Sequence, residues 1–174
     1  NWIVIHSLQL ARNLFSLEGE ADFIVFVPGK GIVIIETKNP KFVEYTGGNW
    51  YLDKLPNPTK DPLKQVSRAR SNIRGFLKQH DENINNIPIA RMLWFTSIAR
   101  HQFVNNSVGD MQFFEWELGL SEDKEKPAQA IEKLLDNHIA FFADNSEVDF
   151  DPALFTSERA EALSSALLTH FSGF

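Results

Sequence analysis

The sequence contains no cysteine, which rules out a disulfide framework, a thiolate zinc centre and a cysteine nucleophile. A reducing cytoplasm suits such a chain, and a cytoplasmic location is the expectation. No stretch approaches the roughly 20 consecutive apolar residues of a bilayer-spanning helix, so no membrane partner is expected. The opening NWIVIHSLQL lacks both the basic segment and the small-residue cleavage site of a signal peptide. Because Asn1 already lies inside patterned sequence, we expect the natural chain to continue upstream. Internal repeats and low-complexity tracts are missing too. His6, His80, His101, His138 and His170 show no metal-ligand spacing and receive no role. Gly29, Gly31, Gly47 and Gly48 match no phosphate-cradling loop and read as turn residues, while the scattered Trp2, Trp50, Trp94 and Trp116 read as core.

What is present is 174 residues, 43% hydrophobic and 23% charged, enough to bury one substantial core, and residues 1–174 are expected to form a single domain. The net charge of -6 argues by itself against a nucleic-acid partner. Its distribution argues otherwise. Residues 54–78 hold seven Lys and Arg against one Asp, a local charge of +6, whereas residues 110–161 hold fourteen Asp and Glu against four Lys and Arg. The acidity of the last third conceals a basic middle segment, which reads either as a solvated helix face or as a phosphate-binding one.

ADFIVFV, GIVIIETK and FVEYTGGNWYL are rich in β-branched and aromatic residues and read as consecutive strands. In GIVIIETK, Ile32, Ile34, Glu36 and Lys38 share one face and Val33, Ile35 and Thr37 the other. Both faces are apolar until Glu36, so this strand belongs inside a helix-covered sheet, and an α/β layer architecture follows. Asp61-Pro62 supplies a cap and a first-turn proline for a helix running to about residue 79. Its apolar side carries Val66, Ala69, Ile73, Phe76 and Leu77, and its basic side Lys64, Arg68, Arg74 and Lys78. PIARMLWFTSIA reads as another central strand. KPAQAIEKLLDNHIAFFA and SERAEALSSALLTHF read as two amphipathic helices, the second capped by Thr156 or Ser157.

The chemistry-bearing constellation is Asp22 followed, one strand later, by Glu36-Thr37-Lys38. Strand alternation sets Glu36 and Lys38 on one face about 7 Å apart, which is why one residue must separate them. Two carboxylates make a hard oxygen site for Mg²⁺ or Mn²⁺, and an adjacent amine suits water orientation and transition-state charge. Alone the pattern is weak, because Glu-x-Lys on a strand is commonly an exposed ion pair. Here it closes a run buried on both faces, where idle charges are costly. Joining the strands by a three-residue loop, with 28 paired to 32, sets Asp22 opposite Lys38 on Glu36's face; a two-residue loop puts Asp22 with Thr37 and destroys the site.

HSLQLARN, GEADFIVFVPGKGIVIIETKN, TGGNWYL and DPLKQVSRA, in that order, closely resemble the nuclease-related (NERD) domain over residues 5 to about 78, with a looser likeness around WELGL and KPAQAIEKLL. That resemblance implies a restriction-endonuclease-like, three-layer α/β/α fold with a central mixed sheet, of the PD-(D/E)xK phosphodiesterase superfamily. It implies that Asp22 and Glu36 ligate Mg²⁺ or Mn²⁺, that Lys38 is the catalytic amine, that Gln65 is a further polar site residue and that Glu20, in G-E-x-D, is accessory. Its partners would be DNA and a fused or associated helicase. The superfamily usually carries an acidic residue on a helix before the first strand, and the chain is expected to lack part of that helix. Three functions follow: a metal-dependent DNA phosphodiesterase, an inactive nucleic-acid-binding module of a larger DNA-processing protein, or a protein-interaction domain with a vestigial site.

Overall fold

In β3 (Gly31–Lys38), every residue from Gly31 to Glu36 is buried. β3 pairs antiparallel with β2 (Gly19–Val27) along one edge and parallel with β6 (Ile89–Phe95) along the other. The computed structural model describes residues 1–10, 19–106, 113–145 and 148–171, and the side chains of residues 7–10, 19, 20 and 171 stand outside that description. With β1 (Ile3–Leu10) beyond β2 and the short β8 (Leu118–Gly119) beyond β6, the five-stranded sheet is mixed, in the order β1-β2-β3-β6-β8.

Strand alternation divides the core into two. Ile24, Phe26, Ile32 and Ile34 bury against Leu63, Val66, Ala69, Ile73 and Leu77 of α1 (Pro62–His80) and against Leu163 and Leu167 of α3 (Ser157–Phe171). Val25, Val27, Val33 and Ile35 bury on the opposite face against Ile131, Leu134 and Leu135 of α2 (Pro127–Asn145). The result is a three-layer α/β/α arrangement with a mixed sheet, the restriction-endonuclease-like architecture. Parallel strands β3 and β6 require a crossover between them, and α1 is that crossover.

Two features depart from the sequence reading. The N-terminal run, to which local pattern assigns no strand, forms β1 and pairs with β2 from Ile3↔Phe26 to Leu10↔Gly19. It is an edge strand with Ile5 buried and Val4 57% exposed, so its half-apolar sequence is a weaker signal than that of β3. The aromatic hairpin does not continue the main sheet. β4 (Val43–Thr46) and β5 (Asn49–Leu52) join β7 (Phe103–Asn105) in a separate three-stranded sheet, because Tyr45, Trp50, Phe103 and Phe113 bury one another there. Trp50 lies 4.8 Å from Tyr45 and 5.2 Å from Phe113, between ring centroids.

The β2–β3 turn has the expected three-residue length but is shifted by one position. Val27 pairs with Gly31, and Ile24 with Ile34 rather than with Glu36. Pro28 and Gly29 occupy the centre of a turn closed by the Lys30 amide donating to the Val27 carbonyl at 3.0 Å, with Gly29 at φ +82°. Proline followed by a left-handed glycine is the chemistry of a type II turn. Gly31 is fixed by a different constraint: a Cβ there would lie 2.5 Å from the Pro88 carbonyl oxygen, whose neighbour Ile89 begins β6. The shift preserves face parity. Asp22 therefore extrapolates to a place opposite Glu36 instead of opposite Lys38.

Candidate active site

The β2–β3 ladder stops at Phe23↔Ile35, whereas the β3–β6 ladder continues to Lys38↔Phe95. The last residues of β3 therefore lose their partner strand on one edge only. Asp22 fills the gap: its Oδ2 accepts the Thr37 amide hydrogen at 2.7 Å and the Thr37 hydroxyl at 2.8 Å. A backbone donor released where two strands part must find another acceptor, and here that acceptor is a carboxylate. Two short bonds fix the Asp22 carboxylate and commit one of its oxygens. Thr37 has no role in the sequence reading, and the only sign available there is a hydroxyl residue in the variable position of Glu-x-Lys.

On the neighbouring β3 positions, the Lys38 Nζ lies 3.2 Å from the Glu36 Oε1. Glu36 is one of the few buried acidic residues, at 9% exposure, and Lys38 is partly open to solvent. The two side chains thus close most of the spacing that strand rise sets between them. Both extend from the face that carries Ile32 and Ile34, under α1.

At the start of α1, Asp61 caps the helix by accepting from the Leu63 amide at 2.9 Å and the Lys64 amide at 3.1 Å. These first-turn amides are already occupied and are not left to bind phosphate. Gln65, in the same turn, lies on Glu36's side of the sheet. Its Oε1 is buried and has no hydrogen-bond partner among the described residues. A buried amide oxygen without a donor is costly, and it marks a place where a ligand or water belongs.

The basic residues divide between two surfaces. Lys64, Arg68, Arg74 and Lys78 are all exposed. Lys64 and Arg68, with Ser67, Ser71 and Asn72, line a shallow groove of about 240 Å³. Arg74 instead shares a separate cavity with Arg70. Glu20 lies in β2, and its side chain is outside the described residues. Among the described residues, no group of three or more His, Asp or Glu is gathered to hold a metal ion.

The model of the nuclease-related domain, NERD, matches residues 1–96, more than half of the chain. The chain belongs to the NERD family. The matched span runs from β1 through β6 and contains Asp22, Glu36, Lys38 and Gln65, while α2 and α3 lie beyond it. No curated protein and no solved structure matches the chain.

Arg91, inside the NERD span, forms a part-buried ion pair with Glu117, outside it, that sequence reading missed. Arg91 on β6 donates through Nε to Glu117 Oε2 at 2.5 Å and through Nη2 to Glu117 Oε1 at 3.2 Å, and its Nη1 donates to the Ser67 hydroxyl of α1. This fork ties α1 and β6 to the segment entering β8. No helix among the described residues is long and apolar enough to cross a membrane.

Proposed function

We propose that this domain is a divalent-metal-dependent phosphodiesterase acting on DNA. The observation that carries the reading is that, at the end of a buried central strand, Thr37 fixes the Asp22 carboxylate while Lys38 pairs with the Glu36 carboxylate one residue before Thr37. Two carboxylates of fixed orientation fit Mg²⁺ or Mn²⁺, which accepts hard oxygen donors while keeping several waters and substrate oxygens. The donors offered would be Asp22 Oδ1, since Oδ2 is engaged with Thr37, and the Glu36 carboxylate. When bound, the ion would polarise a phosphate oxygen and lower the pKa of a coordinated water.

The residues of the chain have separable tasks in this reading. Thr37 keeps the Asp22 carboxylate from rotating, so the geometry is set before substrate arrives. Lys38 places a cation beside Glu36, where it orients a water and offsets charge that develops on the phosphoryl oxygens. The orphaned Gln65 Oε1 accepts a hydrogen bond from that water or from a group on the substrate. Lys64 and Arg68 then carry the phosphate backbone along the groove at the start of α1, where contacts give affinity without sequence choice.

An inactive nucleic-acid-binding module of a larger DNA-processing protein, such as a helicase fusion, is the second reading, favoured by the groove of Lys64 and Arg68, which suits a phosphate backbone whether or not the carboxylates catalyse cleavage. Incubation of the protein with labelled plasmid and oligonucleotides, with and without Mg²⁺ or Mn²⁺, decides between them. Metal-dependent cleavage lost in Glu36→Gln supports the enzyme. Binding of the same DNA without any cleavage by the wild type supports the module.

A further inference from the structure

A second cavity lies where α1, α2 and the turn before β6 meet. Arg70 and Arg74 of α1 enter it from one side, Asn86 from the turn, and His138, Phe142 and Phe150 from the other side, around a volume of about 490 Å³. Arg74 is nine residues from Gln65, roughly 14 Å along the helix axis, so this is a different place from the carboxylate pair.

Several features of the lining are unsatisfied. His138 is only 3% exposed, yet its Nε2 has no hydrogen-bond partner among the described residues, and neither has the buried Asn86 Oδ1. Burial, reinforced by Arg70, Arg74 and Arg91, pushes the His138 imidazole down to about 3, so it is neutral at physiological pH. Burial and the neighbouring Arg91 and Arg74 likewise lower the Arg70 guanidinium to about 10, with Glu117 acting in the opposite sense. Glu117 is already bound in a fork to Arg91, and among the described residues neither Arg70 nor Arg74 forms an ion pair. The exposed Asp149 also lines the cavity. Two guanidiniums one helical turn apart, with no ion-pair partner among the described residues and in a partly desolvated place, suit a phosphate.

Phosphate alone does not account for the rest of the cavity. The His138 ring centroid is 4.6 Å from Phe142 and 5.7 Å from Phe150, and Phe142 and Phe150 are 6.3 Å apart. The three rings pack on one another, and as part of the cavity lining they offer an aromatic surface against which a flat ring stacks. Asn86 Oδ1 calls for a donor, which an exocyclic amino group provides, and a neutral imidazole nitrogen meets either a donor or an acceptor according to its tautomer. The volume falls in the range of small-molecule sites.

We propose that this cavity binds a nucleoside monophosphate, either free or as the phosphorylated terminal nucleotide of a DNA strand, with the phosphate on Arg70 and Arg74. The base lies against Phe142 and Phe150, with its edge toward His138 Nε2 and Asn86 Oδ1. The site joins residues inside the NERD match to residues of α2 and the segment after it, so it would be a property of this longer chain rather than of the matched span alone.

Calorimetric titration of the whole protein in EDTA tests this without involving the metal reading, since neither metal nor cleavage enters. The probes are deoxyadenosine monophosphate, deoxyadenosine, inorganic phosphate, and one tetranucleotide with and without a 5′-phosphate. The expected result is that the monophosphate binds at least tenfold more tightly than phosphate or nucleoside. Exposed Arg74→Gln should weaken it tenfold or more, and Lys133→Gln, an exposed cation of α2 outside the cavity, should leave it unchanged. A tighter 5′-phosphorylated tetranucleotide would identify the strand end as the source, and a tighter free nucleotide the soluble pool. Absence of nucleotide binding at millimolar concentration, phosphate binding as tight as the nucleotide, or indifference to Arg74→Gln would each overturn the proposal. An NMR shift of the His138 imidazole on adding nucleotide, and none on adding phosphate, is a second readout.

Discussion

Asp22 and Thr37 are joined by two hydrogen bonds to a single oxygen, at 2.7 Å from the amide and 2.8 Å from the hydroxyl, at the point where β2 leaves β3. The strands part, but the edge of β3 is not left open. This bond pair makes the residue between Glu36 and Lys38 part of the candidate site, and it separates the two oxygens of Asp22 into one that anchors and one that is available.

Thr37→Val removes the hydroxyl bond and retains shape and the amide bond. Stability should fall by about 1 kcal/mol, the usual net worth of one hydrogen bond. Mn²⁺ affinity should fall roughly tenfold, because groups that orient a ligating carboxylate contribute on that scale. Calorimetric titration of Mn²⁺ into both proteins is the check, and equal affinities would show that Asp22 needs no such anchor.

Mg²⁺ or Mn²⁺ should raise the melting temperature of the wild type, since an ion bound only by the native state stabilises it by mass action. Asp22→Asn should abolish that rise. Lys38→Ala should keep it, because removing the amine also removes a competitor for Glu36 at 3.2 Å. Cleavage in Lys38→Ala should nevertheless drop by about 100-fold or more, as for other losses of transition-state charge stabilisation. An identical thermal shift in wild type and Asp22→Asn would place the ion elsewhere.

Lys64 and Arg68 share one groove and are exposed. Replacing both by Ala should weaken DNA binding about equally across sequences and reduce the salt slope by about 0.9 for each duplex phosphate that the variant no longer neutralises. Stability should change by no more than about 0.5 kcal/mol. Fluorescence anisotropy at several salt concentrations reads both affinity and slope, and an unchanged slope would return this face to solvent.

His138 predicts a pH effect whose sign is fixed by its lowered pKa. The unfolded imidazole takes a proton near pH 6.5 and the folded one only near 3. Below pH 6.5 the unfolded state therefore binds more protons, and stability should fall with pH at about 1.4 kcal/mol per unit. Denaturant unfolding from pH 7.5 to 4.5 should show this decline in the wild type, and His138→Gln should flatten it. Asp81 acts in a lower window: its hydrogen bond with Arg159 holds its carboxyl below the usual range, and its contribution is lost only as pH falls below about 4. A wild-type slope no steeper than that of His138→Gln would mean that the imidazole titrates normally.

Much of the scaffold is legible in local pattern. The run Gly31–Glu36 announces a strand buried on both faces, Asp61-Pro62 announces the start of α1, and spacing alone separates the buried Val66, Ala69, Ile73, Phe76 and Leu77 from the exposed Lys64, Arg68, Arg74 and Lys78. Thr156 caps α3 through the Arg159 amide at 3.2 Å, one of the two caps that its sequence offers. β1 is not legible, because an edge strand with one covered face mixes apolar and polar residues and needs β2 to define it. Nor is the separate aromatic sheet, because β-propensity says that a segment is extended without saying which partner it pairs with.

The sequence by itself determined the α/β class, the family and the side-by-side placement of Glu36 and Lys38, since these depend on residue type and on a period of two along one strand. Only the tertiary structure decided that Ile24 pairs with Ile34, that Asp22 anchors on Thr37, and that Arg70, Arg74, His138 and Phe150 surround one cavity. Each of those relations joins segments distant along the chain, and it is fixed by strand register and by the packing of helices on both faces of the sheet, which no local pattern encodes.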